Sequence, residues 1–106
     1  MSTVGVAKFD DLADGSGVAV DVGEERIAVF RAGDEVHAIA DRCSHAEASL
    51  AEGELFGTEV ECPRHGAEFD ITTGAAVTLP ATKPVVAYPA EVVDGEVQIT
   101  IGGTGA

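Results

Sequence analysis

CPRHG, residues 62–66, sets a thiol, a proline, an imidazole and a glycine side by side. The chain holds two cysteines and three histidines in all, and the other cysteine stands in CSH, residues 43–45. Only His37 falls outside these two patches. The pattern is therefore C-x-H at 43–45, an interval over residues 46–61, and C-x-x-H at 62–65. The scarcest metal-binding side chains are gathered into two short stretches, each giving one sulfur and one nitrogen.

Four readings of that pattern compete. The residues could be incidental core and surface side chains, since free cysteine buries well as a small hydrophobe. The clustering of both cysteines with two of the three histidines weighs against coincidence. A mononuclear zinc site accepts two Cys and two His, yet common zinc fingers pair like with like, Cys with Cys and then His with His. A nucleophilic Cys–His pair leaves the second pair without a role. A two-iron cluster, with two Cys on one iron and two His on the other, accounts for the mixing. Each loop then gives its Cys to the inner iron and its His to the outer one.

Working outward, the rest of the chain reads as a small β framework. At 106 residues it has room for one domain with a modest core. Period-2 alternation marks VGVAKF (4–9) and VAVDV (18–22) as strands. RIAVFR (26–31) and EVHAIAD (35–41) are expected to form a hairpin about Ala32-Gly33-Asp34. VVAYPAEVV (85–93) and EVQITI (96–101) flank Asp94-Gly95, which suits a two-residue turn. Pro89 interrupts the first of these arms, so an edge position or a bulge is expected there. Between the two β ends, over about 42–82, the alternation breaks, and HAEASLAEGEL has room for one short turn. This gives a single domain over 1–106, an all-β framework with an inserted ligand-bearing subdomain.

Nineteen acidic residues against six Lys plus Arg leave a formal net charge of −13. Such a surface offers no basic stripe to phosphates, which excludes nucleic acid and anionic lipid as partners. It suits salt-sensitive docking to a basic protein, and equally it serves solubility alone. Two cysteines are too few for a disulfide scaffold. No apolar run reaches membrane-spanning length, and the N-terminal stretch lacks the features of a signal peptide. A cytoplasmic monomer with no membrane association is expected.

With CSH and CPRHG in place, AVFRAGDEVHAIADRCSHAEASLAEGEL, VECPRHGAEFDITTG and LPATKPVVAYPAEVVDGEVQI resemble the small Rieske-type [2Fe–2S] ferredoxins in order and spacing. The resemblance covers most of the chain. It implies an antiparallel β-sandwich with an inserted cluster-binding subdomain and one [2Fe–2S] cluster. Cys43 and Cys62 would bind one iron, and His45 and His65 the other. It further implies that Gly66 lets the second loop turn, and that Pro80 of LPAT belongs to a third loop covering the cluster. Phe69 and Asp70 read as packing and turn residues, and His37 as a solvated strand histidine. The carboxylates scattered around the patches, Glu47, Glu52, Glu54, Glu59, Glu61 and Glu68, read as ordinary solvated face, with Arg42 and Arg64 interrupting it beside the ligands.

The resemblance also bears on function. Two neutral imidazoles in place of thiolates remove roughly two negative charges, so these centres lie well above the roughly −400 mV of all-Cys plant-type clusters. High-potential members carry an extra cysteine in each ligand loop, where this chain has Ala48 and Arg64. They also place serine and tyrosine hydroxyls toward the cluster, where this chain has Ala67 and Phe69. A potential toward the low end of the roughly −150 to +300 mV Rieske range is expected. Once two histidines are assigned to the cluster, His37 alone cannot build the two-His, one-carboxylate iron site of an oxygenase. The chain is thus expected to be an electron carrier rather than an enzyme. It would pass single electrons from a flavin-dependent ferredoxin reductase to a terminal non-haem iron oxygenase. Two other settings fit the same pattern: an accessory ferredoxin of an iron–sulfur assembly operon, and the small subunit of an assimilatory nitrite reductase.

Overall fold

The computed structural model describes residues 2–23, 25–41, 49–63, 66–77 and 84–101. Among these described residues ten strands run in chain order: β1 (Ser2–Lys8), β2 (Gly17–Val22), β3 (Glu25–Ala32), β4 (Glu35–Ala40), β5 (Glu54–Phe56), β6 (Glu59–Glu61), β7 (Glu68–Asp70), β8 (Ala87–Tyr88), β9 (Ala90–Val93) and β10 (Glu96–Ile101). Short 3-10 turns at Phe9–Asp11 and Leu50–Glu52 are the helical pieces among the described residues. The strands form three antiparallel sheets, ordered β1-β10-β9, β2-β3-β4-β8 and β5-β6-β7.

The four-stranded sheet is the middle layer because β3 is apolar on both faces. Its residues Ile27, Ala28, Val29 and Phe30 are all buried, the run expected of a strand with no solvated side. Ile27 and Val29 meet Val97, Ile99 and Leu12 in a core shared with the β1-β10-β9 sheet. Ala28 and Phe30 point the other way, into a core with Leu50, Val60, Ala67, Phe69 and Ile71. That second core joins the framework to the small β5-β6-β7 sheet, which is inserted in sequence between β4 and β8. Burying a ring such as Phe30 or Phe69 completely contributes about 3 kcal/mol.

Two local expectations change in the structure. The turn between β3 and β4 is Gly33-Asp34, because Ala32 still pairs with Glu35. The arm expected over 85–93 is two strands. Ala87 and Tyr88 pair with β4, and Ala90–Val93 pairs with β10. Pro89, lacking an N–H, stands where the chain leaves one sheet for the other, and its carbonyl accepts the Thr100 N–H at 2.9 Å. At Asp94-Gly95 the turn is as expected, with φ of 52° and 80°. The region where alternation breaks holds β5, β6 and β7, each of three residues and too short to register as a period.

Candidate metal centre

The two Cys/His patches emerge from one core. β4 ends at Ala40, and the next residue, Asp41, is buried. The first patch, with Cys43, His45 and Arg42, lies outside the described residues. So does Ala48. The chain returns at Ser49 and enters the 3-10 turn whose Leu50 is fully buried. β6 runs out into Cys62, which is 1 % exposed and packs in the same core cluster as Leu50, Val60, Ala67 and Phe69. The roots of both patches therefore share one apolar cluster.

The second patch is closed by two backbone bonds. The Cys62 N–H donates to the Ala67 carbonyl at 2.6 Å, and the Gly66 N–H donates to the Cys62 carbonyl at 3.0 Å. Gly66 has φ of 76°, the left-handed conformation that reverses the chain within so few residues. His65 and Arg64 stand inside this loop but outside the described residues. Pro80 also lies outside them, in 78–83. Its flanks are tied to the small sheet's neighbourhood: the Val77 N–H donates to Glu68 O and the Val85 N–H to Gly74 O, both at 2.8 Å.

Cys62 is thus the one candidate ligand whose surroundings are described. A thiol shielded from water, among apolar side chains and at the mouth of a tight loop, suits a sulfur donor to the inner iron of a two-iron cluster. The set of two Cys and two His fits the same group. Ala67 and Phe69 are both fully buried beside Cys62 and carry no hydroxyl.

The remaining sequence candidates resolve differently. His37 is 21 % exposed, more covered than a solvated strand histidine, and its Nε2 lies 3.0 Å from Glu35 Oε1. Among the described residues no group of three or more His, Cys, Asp or Glu side chains is arranged to hold a metal ion. Phe69 packs as expected. Asp70 forms a turn: its Oδ1 accepts the Thr72 hydroxyl at 2.6 Å and the Thr72 N–H at 2.8 Å. The Thr72 hydroxyl is the main reason its pKa is lowered from the ordinary aspartate value.

The carboxylates are ordered by register. Glu54, Glu61 and Glu68 stand opposite one another across the small sheet, and Glu59 stands opposite Asp70. Leu55, Val60 and Phe69 occupy the alternate positions, so one face is apolar and the other is acidic apart from the exposed Phe56. Sequence reading missed Asp41 and Ser49, which join the two ends of the first patch: the Ser49 hydroxyl lies 2.7 Å from Asp41 Oδ2. An acid ending a strand directly before a ligand patch is the signal that could have found them.

Comparison with known proteins bears on this arrangement. The model of the Rieske [2Fe-2S] domain family matches residues 2–89. The anthranilate 1,2-dioxygenase ferredoxin subunit of Burkholderia cepacia is 44% identical over 94 residues, covering 89% of this chain and 87% of its own. The ferredoxin of carbazole 1,9a-dioxygenase from Nocardioides aromaticivorans IC177 superposes with a TM-score of 0.90 at 42% identity, over 93% of this chain and 97% of its own. A solved complex of reduced oxygenase and oxidized ferredoxin in carbazole 1,9a-dioxygenase contains a chain that matches with a TM-score of 0.86 at 39% identity. That match covers 92% of this chain and 91% of the other.

Proposed function

The chain belongs to the Rieske [2Fe–2S] domain family, and from that premise we propose that it is the ferredoxin of an aromatic-ring dioxygenase system. In this role it takes single electrons from a flavin-dependent reductase and delivers them to a terminal oxygenase. It is an electron carrier, not the catalyst of the ring chemistry. The observation that carries the reading is the buried thiol of Cys62 at the mouth of the loop closed onto Ala67. It stands in a chain 44% identical to a dioxygenase ferredoxin subunit. That identity favours the dioxygenase setting over the cluster-assembly and nitrite-reductase settings.

Cys43 and Cys62 would hold one iron and His45 and His65 the other, with residues 42–82 as the cluster-bearing unit of a single domain. When bound, the cluster supplies a one-electron redox centre. The chain's own residues set its surroundings. Cys62 and its apolar neighbours exclude water from the sulfur side. Ala67 and Phe69 offer no hydroxyl donors to the cluster sulfurs. Donors there favour the more negative reduced state, so their absence lowers the potential. The acidic surface, with a net charge of −13, would complement a basic docking face on a reductase or an oxygenase. A cytoplasmic monomer suits such a shuttle, and among the described residues no helix is long and apolar enough to cross a membrane.

Iron and labile-sulfide analysis with spectroscopy tests the reading. Aerobically purified protein should carry about two irons and two sulfides per chain and, once reduced, give the low-average-g signal of a His-ligated two-iron centre. Voltammetry should place its potential below about +100 mV, in the lower part of the family range. Ala67→Ser, if its hydroxyl reaches a sulfur at about 1 kcal/mol, should raise it by about 40 mV. One zinc and no labile sulfide would sink the proposal.

A further inference from the structure

Asp41 is the one buried charged side chain among the described residues, with no side-chain exposure. A carboxylate taken out of water must be paired and hydrogen-bonded, and here its partners are Arg26 on β3 and, just beyond a short segment that Asp41 itself precedes, Ser49 and Ala51. Its Oδ2 accepts Arg26 Nε–H at 2.9 Å, which fastens it to β3. Its backbone N–H donates to the Arg26 carbonyl at 3.0 Å, a second tie to the same residue. Its Oδ1 accepts the Ala51 N–H at 2.7 Å. The Ser49 hydroxyl lies 2.7 Å from Oδ2 and 2.9 Å from Oδ1, so its one proton is donated to whichever oxygen is nearer at the time.

Residues 42–48 are the segment between these partners, and they include Cys43 and His45. One carboxylate therefore grips the chain where the segment leaves β4 and where it returns. It also ties both ends to the strand that faces both cores. Arg26, like any arginine, stays charged, and its hydrogen bond to Asp41 raises its pKa further.

We propose that Asp41, with Ser49, is a positioning clasp for the first ligand segment: it fixes the span from which Cys43 and His45 reach the iron. This rests on the assignment of those two residues as ligands. An acid that only capped the end of β4 would affect the stability of the fold and leave the ligands indifferent. A clasp acts on the metal site itself. Partners outside the ligand set that hold ligands in place are worth about 10- to 100-fold in metal affinity.

The test measures iron release from the intact holoprotein to a chelator, together with the g values and linewidths of the reduced protein. Asp41→Ala is compared with Val97→Ala, a truncation in the core between the β1-β10-β9 and β2-β3-β4-β8 sheets. Each is assayed at the same interval below its own unfolding midpoint. Asp41→Ala is expected to release iron about 10- to 100-fold faster than Val97→Ala and to shift or broaden the g values. Ser49→Ala should release iron faster than wild type, and Ser49→Thr, which keeps the hydroxyl, should restore the wild-type rate. If Asp41→Ala does not fold, the Ser49→Ala and Ser49→Thr pair decides. Equal release from Asp41→Ala and Val97→Ala with unchanged g values overturns the clasp, as does equal release from the two Ser49 variants. Wild-type protein that carries a cluster in either case leaves the ligand assignment standing. Wild-type protein without iron and labile sulfide would overturn that assignment, and the clasp with it.

Discussion

Tyr88 is the sole tyrosine of a chain without tryptophan, so its ionisation can be followed directly. It lies in β8, half-buried, and its hydroxyl donates to Glu25 Oε2 at 3.0 Å. Burial is the larger cause and Glu25 the smaller in pushing its pKa up to about 12 from 10.0. The group is neutral when protonated, and folding favours that form. Its contribution to stability is therefore complete below about pH 10 and lost as pH rises through about 12. Near-ultraviolet titration of tyrosinate should show a midpoint well above that of free tyrosine. In Glu25→Gln the midpoint should fall part of the way back, with burial holding the remainder. A wild-type midpoint at or below 10 would contradict this picture of the site.

Among the elements, the approach of the Leu50–Glu52 turn to β6 depends on Gly53. Its N–H donates to the Leu50 carbonyl at 3.0 Å and closes the turn. A Cβ at this position would collide with the Glu61 carbonyl oxygen, and backbone cannot swing aside as a flexible side chain can. Gly53→Ala must therefore move the entry of β5 away from β6, directly beside Cys62. Overpacking of this kind costs about 1–3 kcal/mol. Denaturant unfolding should show a loss of that order, and a variant as stable as wild type would mean that the two segments separate freely.

Over the whole molecule, a formal charge of −13 is spread across a framework whose small sheet shows an acidic outer face. Like charges directly opposite one another on a sheet are destabilising. The same field would draw in a basic partner and weakens as salt screens it, with a Debye length of about 30 Å at 0.01 M and about 10 Å at 0.1 M. The second-order rate of electron transfer from a reductase should fall steadily across that range in stopped-flow mixing. A rate indifferent to ionic strength would remove electrostatic steering from the account.

Much of this protein could be read from its residues because the signals are local. Alternation marked β1 and β2, a glycine-containing turn marked the β3–β4 hairpin, and Asp94-Gly95 marked the tight turn into β10, since each depends on neighbours in sequence. The C-x-H and C-x-x-H patches stood out as a candidate ligand set for the same reason: a short loop limits where its donors can reach. What the tertiary structure alone decided depends on residues far apart along the chain. β3 is buried on both faces because one sheet built from both ends of the sequence and one from its middle close over it. Pro89 reads as an interruption in one arm, yet it marks a change of sheet, because β8 finds its partner in β4 and β9 in β10. β5, β6 and β7 are too short to alternate visibly and exist through their pairing and their shared core. Asp41 looked like the last residue of a strand. Its partners, Arg26 in β3 and Ser49 and Ala51 beyond the ligand segment, meet it only when the chain folds, and burial then makes each of those bonds obligatory.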